Sequence, residues 1–183
     1  MKKYLLLFLF FLTSEKNYAQ AIYISENGEV TFYSYAIIED IKATSKQVNG
    51  IINTATGEFA FIIPIRSFRF AKSLMQEHFN EKFMESDKYP QATFKGKINE
   101  KIDFTKDAKL KLTATGKMNI HGVEKDVTEN GEINISGNEI VLTTDFNVAI
   151  DEFNIKKPQL LFNNIADTIN VKLKASYIPY KKK

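Results

Sequence analysis

Alternation of apolar and polar residues runs through most of this 183-residue sequence. In residues 110–120, 140–150 and 169–177, every second position is almost always apolar and the positions between are mostly polar. A period of two is typical of β-strands with one buried and one solvated face. Residues 92–98 repeat the pattern over a shorter length. The sequence therefore predicts an all-β, antiparallel fold whose apolar strand faces turn toward one interior.

The first half of the chain shows the same pattern less regularly. Residues 48–53 and 58–65 are typical of a hairpin joined at 54–57. The apolar positions then change phase, which predicts a β-bulge near Arg66 and Ser67, because one extra residue moves the following side chains to the other face.

Glycine marks further irregular positions. Turns containing glycine and asparagine are predicted at 129–131 and 136–138. Gly96 and Gly116 fall on inward strand positions, where glycine indicates a bulge, a bend, or the close approach of a ligand or another backbone.

One segment has helical rather than strand periodicity. Ser73 and Gln76 fit a capping box, in which serine caps the helix and glutamine lies three residues later. A helix is predicted over about 74–84, with an apolar stripe formed by Met75, Phe79 and Phe83. It ends before Pro90, since the residue before a proline avoids the helical region.

Eight to nine short strands and one helix favour an antiparallel sandwich or barrel, and one-sided alternation favours a single enclosed interior. A barrel of about eight strands is either filled by its own side chains or holds one small ligand. Alternation by itself favours the filled interior. The inward positions that would line a pocket are Phe32, Phe59, Phe61, Ile63, Phe94, Leu112, Met118, Leu142, Phe146, Val171 and Leu173.

The N-terminus has the layout of a secretory signal peptide. Two lysines precede nine apolar residues at 4–12, and small residues follow at Ala19 and Ala21. The apolar run is too short to span a bilayer. We expect residues 1–19 to be removed, with cleavage after Ala19 or Ala21, and residues 20–183 to form one domain. The chain has no cysteine, so a lipoprotein anchor is excluded and a periplasmic or secreted protein is expected.

Charge and composition exclude several classes of function. The net charge of +3 comes mostly from the two ends of the chain, and no basic patch of the kind that binds nucleic acid stands out. The absence of cysteine also excludes disulfides, thiolate metal sites and thiol nucleophiles. His78 and His121 are the two histidines, and neither has metal-ligand spacing. The sequence therefore predicts no cofactor, no metal and no stable membrane insertion.

Support for catalysis is weak. No nucleophile elbow and no glycine-rich phosphate loop occur. A small hydrolase would have to use His78 or His121 with a neighbouring carboxylate. For His121, a turn residue hydrogen-bonded to backbone is the favoured interpretation. We expect a protein that is not an enzyme.

Two motifs resemble those of the YceI-like family. The helix followed by Tyr89-Pro90 and then Phe94 resembles the first. The second resemblance is carried by Gly116, Met118, Ile120, His121, Gly122, Val123 and Lys125. The stretch 146–158 is also similar to the family, and the resemblance extends over about residues 21–178.

This resemblance implies an eight-stranded antiparallel lipocalin-like barrel with the amphipathic helix near its opening. It also implies a bacterial secreted or periplasmic protein that holds a long-chain amphiphile, a polyisoprenoid or fatty lipid, inside the barrel for carriage or sequestration. Arg66, Arg69 and His78 would hold the polar head group at the opening. The alternatives are a ligand-free, stress-related structural or interaction protein with a packed barrel, or the hydrolase. A homodimer is compatible with the sequence.

Overall fold

The computed structural model describes residues 22–35, 40–157 and 165–181. The predicted signal peptide and both cleavage positions lie outside the described residues. The nine strands are β1 Ile22–Ser34, β2 Ile41–Asn53, β3 Glu58–Pro64, β4 Arg69–Phe70, β5 Gln91–Ile98, β6 Ala108–Ile120, β7 Val123–Ser136, β8 Glu139–Ala149 and β9 Thr168–Pro179.

Eight of these strands form a closed antiparallel barrel. The strand order is β1-β9-β8-β7-β6-β5-β3-β2, and β2 pairs with β1 to close the ring. The two-residue β4 pairs with β2 alone. Closure removes the open sheet edges on which other chains could add a strand. The expected eight-stranded barrel with one helix is confirmed.

Side-chain faces follow the predicted alternation. Leu112 and Met118 on β6, Leu142 on β8 and Leu173 on β9 are buried inside the barrel. The predicted hairpin is also present, since β2 and β3 pair around the turn at 54–57. These features depend on the two-residue period of an extended chain, which local sequence specifies directly.

Gly96 and Gly116 mark a close approach of two backbones. They lie directly opposite each other in the β5–β6 ladder. A Cβ atom on Gly116 would lie 2.2 Å from the carbonyl oxygen of Lys95, and one on Gly96 would lie 2.3 Å from that of Thr115. Of the three interpretations open from the sequence, the approach of another backbone is the one that applies.

The turn predicted at 129–131 is wrong. Strand β7 continues without interruption through these residues, and Asn130 and Gly131 pair with Thr113 and Leu112 of β6. Long-range pairing therefore overrides the local turn propensity of Asn-Gly. The turn at 136–138 is present, and Gly137 there has a positive φ of 56°.

The β-bulge near Arg66 and the capping box are also wrong. A single 3-10 turn over Ile65–Ser67 separates β3 from β4 and accounts for the change of phase. Helix α1 covers Ser73–His78, its N-cap is Lys72, and no side chain makes a capping hydrogen bond. The chain continues as a π-helical turn over Phe79–Phe83. The predicted helix is therefore present, but its geometry changes from α-helical to π-helical after His78.

A second 3-10 turn, Asp151–Phe153, follows β8 and lies near the end of the barrel that carries the helix. Within the described ranges, no helix is long and apolar enough to cross a membrane.

Candidate functional site

The two ends of the barrel differ in packing. At one end the interior is solid, and its most deeply buried side chains fill the space between the strands: Val48, Ile52, Ile133, Ile140 and Tyr177. The ring of Phe61 packs edge-on against Tyr177 with centroids 6.2 Å apart. This end supplies a hydrophobic core, so the barrel does not need a ligand to complete it.

Above this core the barrel is hollow. The cavity has a volume of about 310 Å³ and an almost entirely apolar wall. Phe59, Phe61 and Phe94 form its floor, where Phe59 and Phe94 meet edge-on at 4.9 Å. The volume falls at the lower end of the range of about 300–1,000 Å³ typical of small-molecule pockets.

The structure places all eleven predicted lining residues on the cavity wall: Phe32, Phe59, Phe61, Ile63, Phe94, Leu112, Met118, Leu142, Phe146, Val171 and Leu173. Their contact with a ligand stays a prediction. The wall also includes Ile65 and Ile150, which continue the apolar phases of 58–65 and 140–150, and two residues outside the strands that periodicity could not supply, Ile155 and Ile165.

The helical segment covers the opening. Its stripe of Met75, Phe79 and Phe83 lines the cavity, as the spacing predicts. Phe79 is held by three other rings, since its centroid lies 5.5 Å from Phe32, 5.6 Å from Phe68 and 5.0 Å from Phe70. This aromatic cluster attaches the segment to β1 and β4.

Of the three residues predicted at the mouth, one lies on the cavity wall and two lie outside it. His78 lines the cavity from the helix. Arg66 is exposed and pairs with Asp87, while the Arg69 guanidinium donates to the carbonyl oxygens of Arg66 and Phe68 at 2.8 and 3.2 Å. Neither arginine belongs to the cavity wall. Of the three, only His78 is placed to meet a ligand inside the barrel.

His121 has a structural environment. It is buried with a positive φ of 52°, and its Nδ1 lies 3.2 Å from the Phe153 carbonyl oxygen. Its Nε2 lies 3.0 Å from the carboxylate of Glu85, and its ring packs edge-on against Tyr89 at 4.5 Å. Both ring nitrogens are engaged, so the turn residue favoured from the sequence describes His121 better than a proton-transfer group.

This contact also brings the two sequence motifs together. Tyr89 belongs to the first and His121-Gly122 to the second, and a Cβ on Gly122 would lie 2.4 Å from the Tyr89 ring. The cluster joins the segment after the helix, the β6–β7 turn and the turn at Asp151–Phe153. Tyr89 and Phe153 each lie 32 positions from His121 in the sequence, and their contacts with it hold the helical end of the barrel together.

One polar residue of the wall is missing from the predicted lining residues. Glu129 lines the cavity, and partial burial raises its pKa above the ordinary value. The sequence predicts a turn there, although the apolar phase of Val127, Ile133 and Ile135 continues through Glu129 and places it on the inward face. Glu129 and His78 are the two ionisable side chains on the described part of the wall.

The sequence of residues 24–177 matches the family model of the YceI-like domain. The chain belongs to the YceI-like family. This confirms the resemblance carried by the two motifs. A comparison with curated protein sequences gives no match.

Solved structures share the fold of this YceI-like chain. A polyisoprenoid-binding domain from Saccharophagus degradans, implicated in plant cell wall breakdown, superposes with a TM-score of 0.75 at 15% identity, over 88% of this chain and 99% of that one. BcnA from Burkholderia cenocepacia gives 0.69 at 19% identity, over 81% and 95%. The Campylobacter jejuni YceI protein gives 0.62 at 22% identity, over 81% and 90%.

Among the described residues, no group of three or more histidines and carboxylates is arranged to hold a metal ion. What the site offers chemically is an apolar interior surface with two ionisable groups on its described wall.

Proposed function

We propose that this YceI-like barrel binds a long-chain amphiphile, a polyisoprenoid or fatty lipid, in its hollow half, and carries or sequesters it in the periplasm or outside the cell. The observation that supports this proposal is the apolar cavity of about 310 Å³ above the packed end of the barrel. Two further facts agree with it, namely the family's binding-protein fold and the polyisoprenoid-binding description of the Saccharophagus domain.

Burial of the hydrocarbon chain would provide the affinity. Each methylene removed from water contributes about 0.8 kcal/mol, so a ten-carbon chain gains on the order of 8 kcal/mol before the cost of its immobilisation. Access would require the helical segment to move, because Phe79 lies between the opening and the cavity floor. No charged anchor is needed for binding of this kind.

Native mass spectrometry of protein purified from its host tests the proposal directly. A bound lipid is expected as a mass adduct that organic solvent removes. An apo mass, together with failure to bind an apolar fluorescent probe such as N-phenylnaphthylamine, would favour the ligand-free structural or interaction protein. N-terminal sequencing of the same sample tests secretion, which predicts a mature chain starting at Gln20 or Ile22.

A matched pair of variants tests where the probe binds. Ala92 lies on the cavity wall, whereas Ala60 on β3 lies between the inward-facing Phe59 and Phe61 and points outward. Ala92→Phe should fill part of the cavity and weaken probe binding at least about tenfold, while Ala60→Phe should leave it unchanged. Equal effects of the two variants would place the bound probe outside the barrel.

A further inference from the structure

Glu129 is an acidic side chain on the inner wall of an otherwise apolar cavity. It lies directly opposite Ala114 in the β6–β7 ladder, and residues directly opposite in an antiparallel pair share one face of the sheet. Ala114 is buried inside the barrel and lines the cavity, as does Gly131 two residues along β7. The Glu129 side chain therefore points inward at mid-height of the wall.

Strands β7 and β8 separate beside Glu129, so the barrel wall has a gap there. The β7–β8 ladder runs only from the Gly131–Thr144 pair to the Ser136–Glu139 pair, while β7 stays paired with β6 and β8 with β9 beyond it. The Thr144 hydroxyl donates to the Asn130 carbonyl oxygen at 2.6 Å and closes the end of the ladder. Asn130, Gly131 and Thr144 line both the cavity and an outer groove, so water and a polar group can reach this point.

Glu129 has no lysine or arginine beside it on the described cavity wall; the lysines of the outer groove are Lys111, Lys172 and Lys174. Among the described residues it makes no hydrogen bond or ion pair, and the described wall carries no lysine or arginine. Arg66 and Arg69 are held by other partners outside the cavity. Partial burial disfavours the charged carboxylate and raises the pKa of Glu129. A half-buried carboxylate without a protein partner is stabilised by a ligand that supplies a hydrogen-bond donor or a positive charge.

We propose that Glu129 selects the polar group of the bound amphiphile, accepting a hydroxyl, an amide or an amine and rejecting a carboxylate or a phosphate. This inference rests on the proposed function and specifies its ligand. A protonated amine donates a hydrogen bond to the Glu129 carboxylate and adds an ion pair, while a hydroxyl or amide donates to the same oxygens without the ion pair. A second anion in the same pocket would face like-charge repulsion from the Glu129 carboxylate, with no lysine or arginine on the described wall to offset it.

Three amphiphiles with one chain length separate these cases. Dodecylamine, dodecanol and dodecanoic acid, each below its solubility limit or critical micelle concentration, would compete with N-phenylnaphthylamine for the full mature chain. We expect the amine and the alcohol to bind at least about tenfold more tightly than the acid, which corresponds to one modest like-charge interaction. Glu129→Gln keeps the size of the side chain and should reduce the ratio of amine to acid affinity by about tenfold or more.

A control variant defines the outcome. Glu124→Gln removes a carboxylate from the outer face of the same strand, where Glu124 pairs with Lys117, and should leave the ratio unchanged. Equal binding of amine and acid by the wild type, or an unchanged ratio in Glu129→Gln, would overturn the selection while leaving amphiphile binding intact. Failure of all three amphiphiles to displace the probe would overturn the proposed function and the selection with it.

Discussion

Replacement of Gly116 by alanine tests the closest backbone contact in the barrel. Real Cβ atoms essentially never come within 3.0 Å of another heavy atom, yet a Cβ on Gly116 would lie 2.2 Å from the Lys95 carbonyl oxygen and 2.5 Å from the Gly96 Cα. Both contacts are to backbone, which cannot rotate away as a flexible side chain can. Strands β5 and β6 must therefore separate at this point, and the hydrogen bonds beside it stretch beyond their effective range.

The cost follows from these displacements. Loss of one or two ladder hydrogen bonds costs about 1 kcal/mol each, and overpacking adds about 1–3 kcal/mol. We expect Gly116→Ala to lower the free energy of unfolding by about 2–5 kcal/mol. With a urea dependence of about 2 kcal/mol per molar, the unfolding midpoint should fall by roughly 1–2.5 M. Circular dichroism during urea titration measures this shift.

Gly137→Ala is the matched control. A Cβ on Gly137 meets nothing within 4 Å, but the residue has a positive φ, so its replacement should cost only about 1 kcal/mol of conformational strain. A Gly116→Ala midpoint within the error of wild type, or above that of Gly137→Ala, would refute the close-approach argument.

Two further substitutions test the packed end and the motif cluster. Burial raises the pKa of Tyr177 far above its ordinary value, and its hydroxyl finds no partner among the described residues, so Tyr177→Phe should gain about 1 kcal/mol at neutral pH. Above about pH 10 the Tyr177 hydroxyl ionises only in the unfolded chain. Wild type should therefore lose stability relative to Tyr177→Phe as pH rises. Parallel stability curves of the two proteins in alkaline urea titrations would contradict this. His121→Ala removes the contacts to Glu85 and Phe153 and should cost about 1–3 kcal/mol in the same assay. His121→Asn, which tolerates a positive φ, should recover part of that loss, and a larger loss in His121→Asn would contradict the assigned role.

Strand faces were predictable because they depend on local geometry. Successive side chains of an extended chain point to opposite faces, so the apolar positions of β6, β8 and β9 indicate their inward sides without knowledge of the fold. The apolar stripe of Met75, Phe79 and Phe83 was also predictable, because residues four positions apart lie on the same face of a helix. The eleven residues expected to face the interior lie on the cavity wall because each was identified from this alternation.

Errors arose where distant strands override local preference. Asn130-Gly131 is typical of a turn, but thirteen residue pairs with β6 keep β7 extended through it, so the predicted turn leaves Glu129 out of the predicted lining residues. The head-group role of Arg66 and Arg69 stays a prediction. Outside the cavity wall, Arg66 pairs with Asp87 and Arg69 donates to nearby backbone carbonyls.

The strand pattern, the inward faces and, through two motifs, the family follow from local sequence. Whether the interior is filled or hollow depends on the folded barrel, because alternation indicates which side chains point inward but not how far apart opposite walls lie. Barrel closure brings the walls together around Tyr177 at one end and leaves them apart beneath Phe79 at the other. The same closure places Glu129 beside the division between β7 and β8, where one carboxylate faces an apolar cavity.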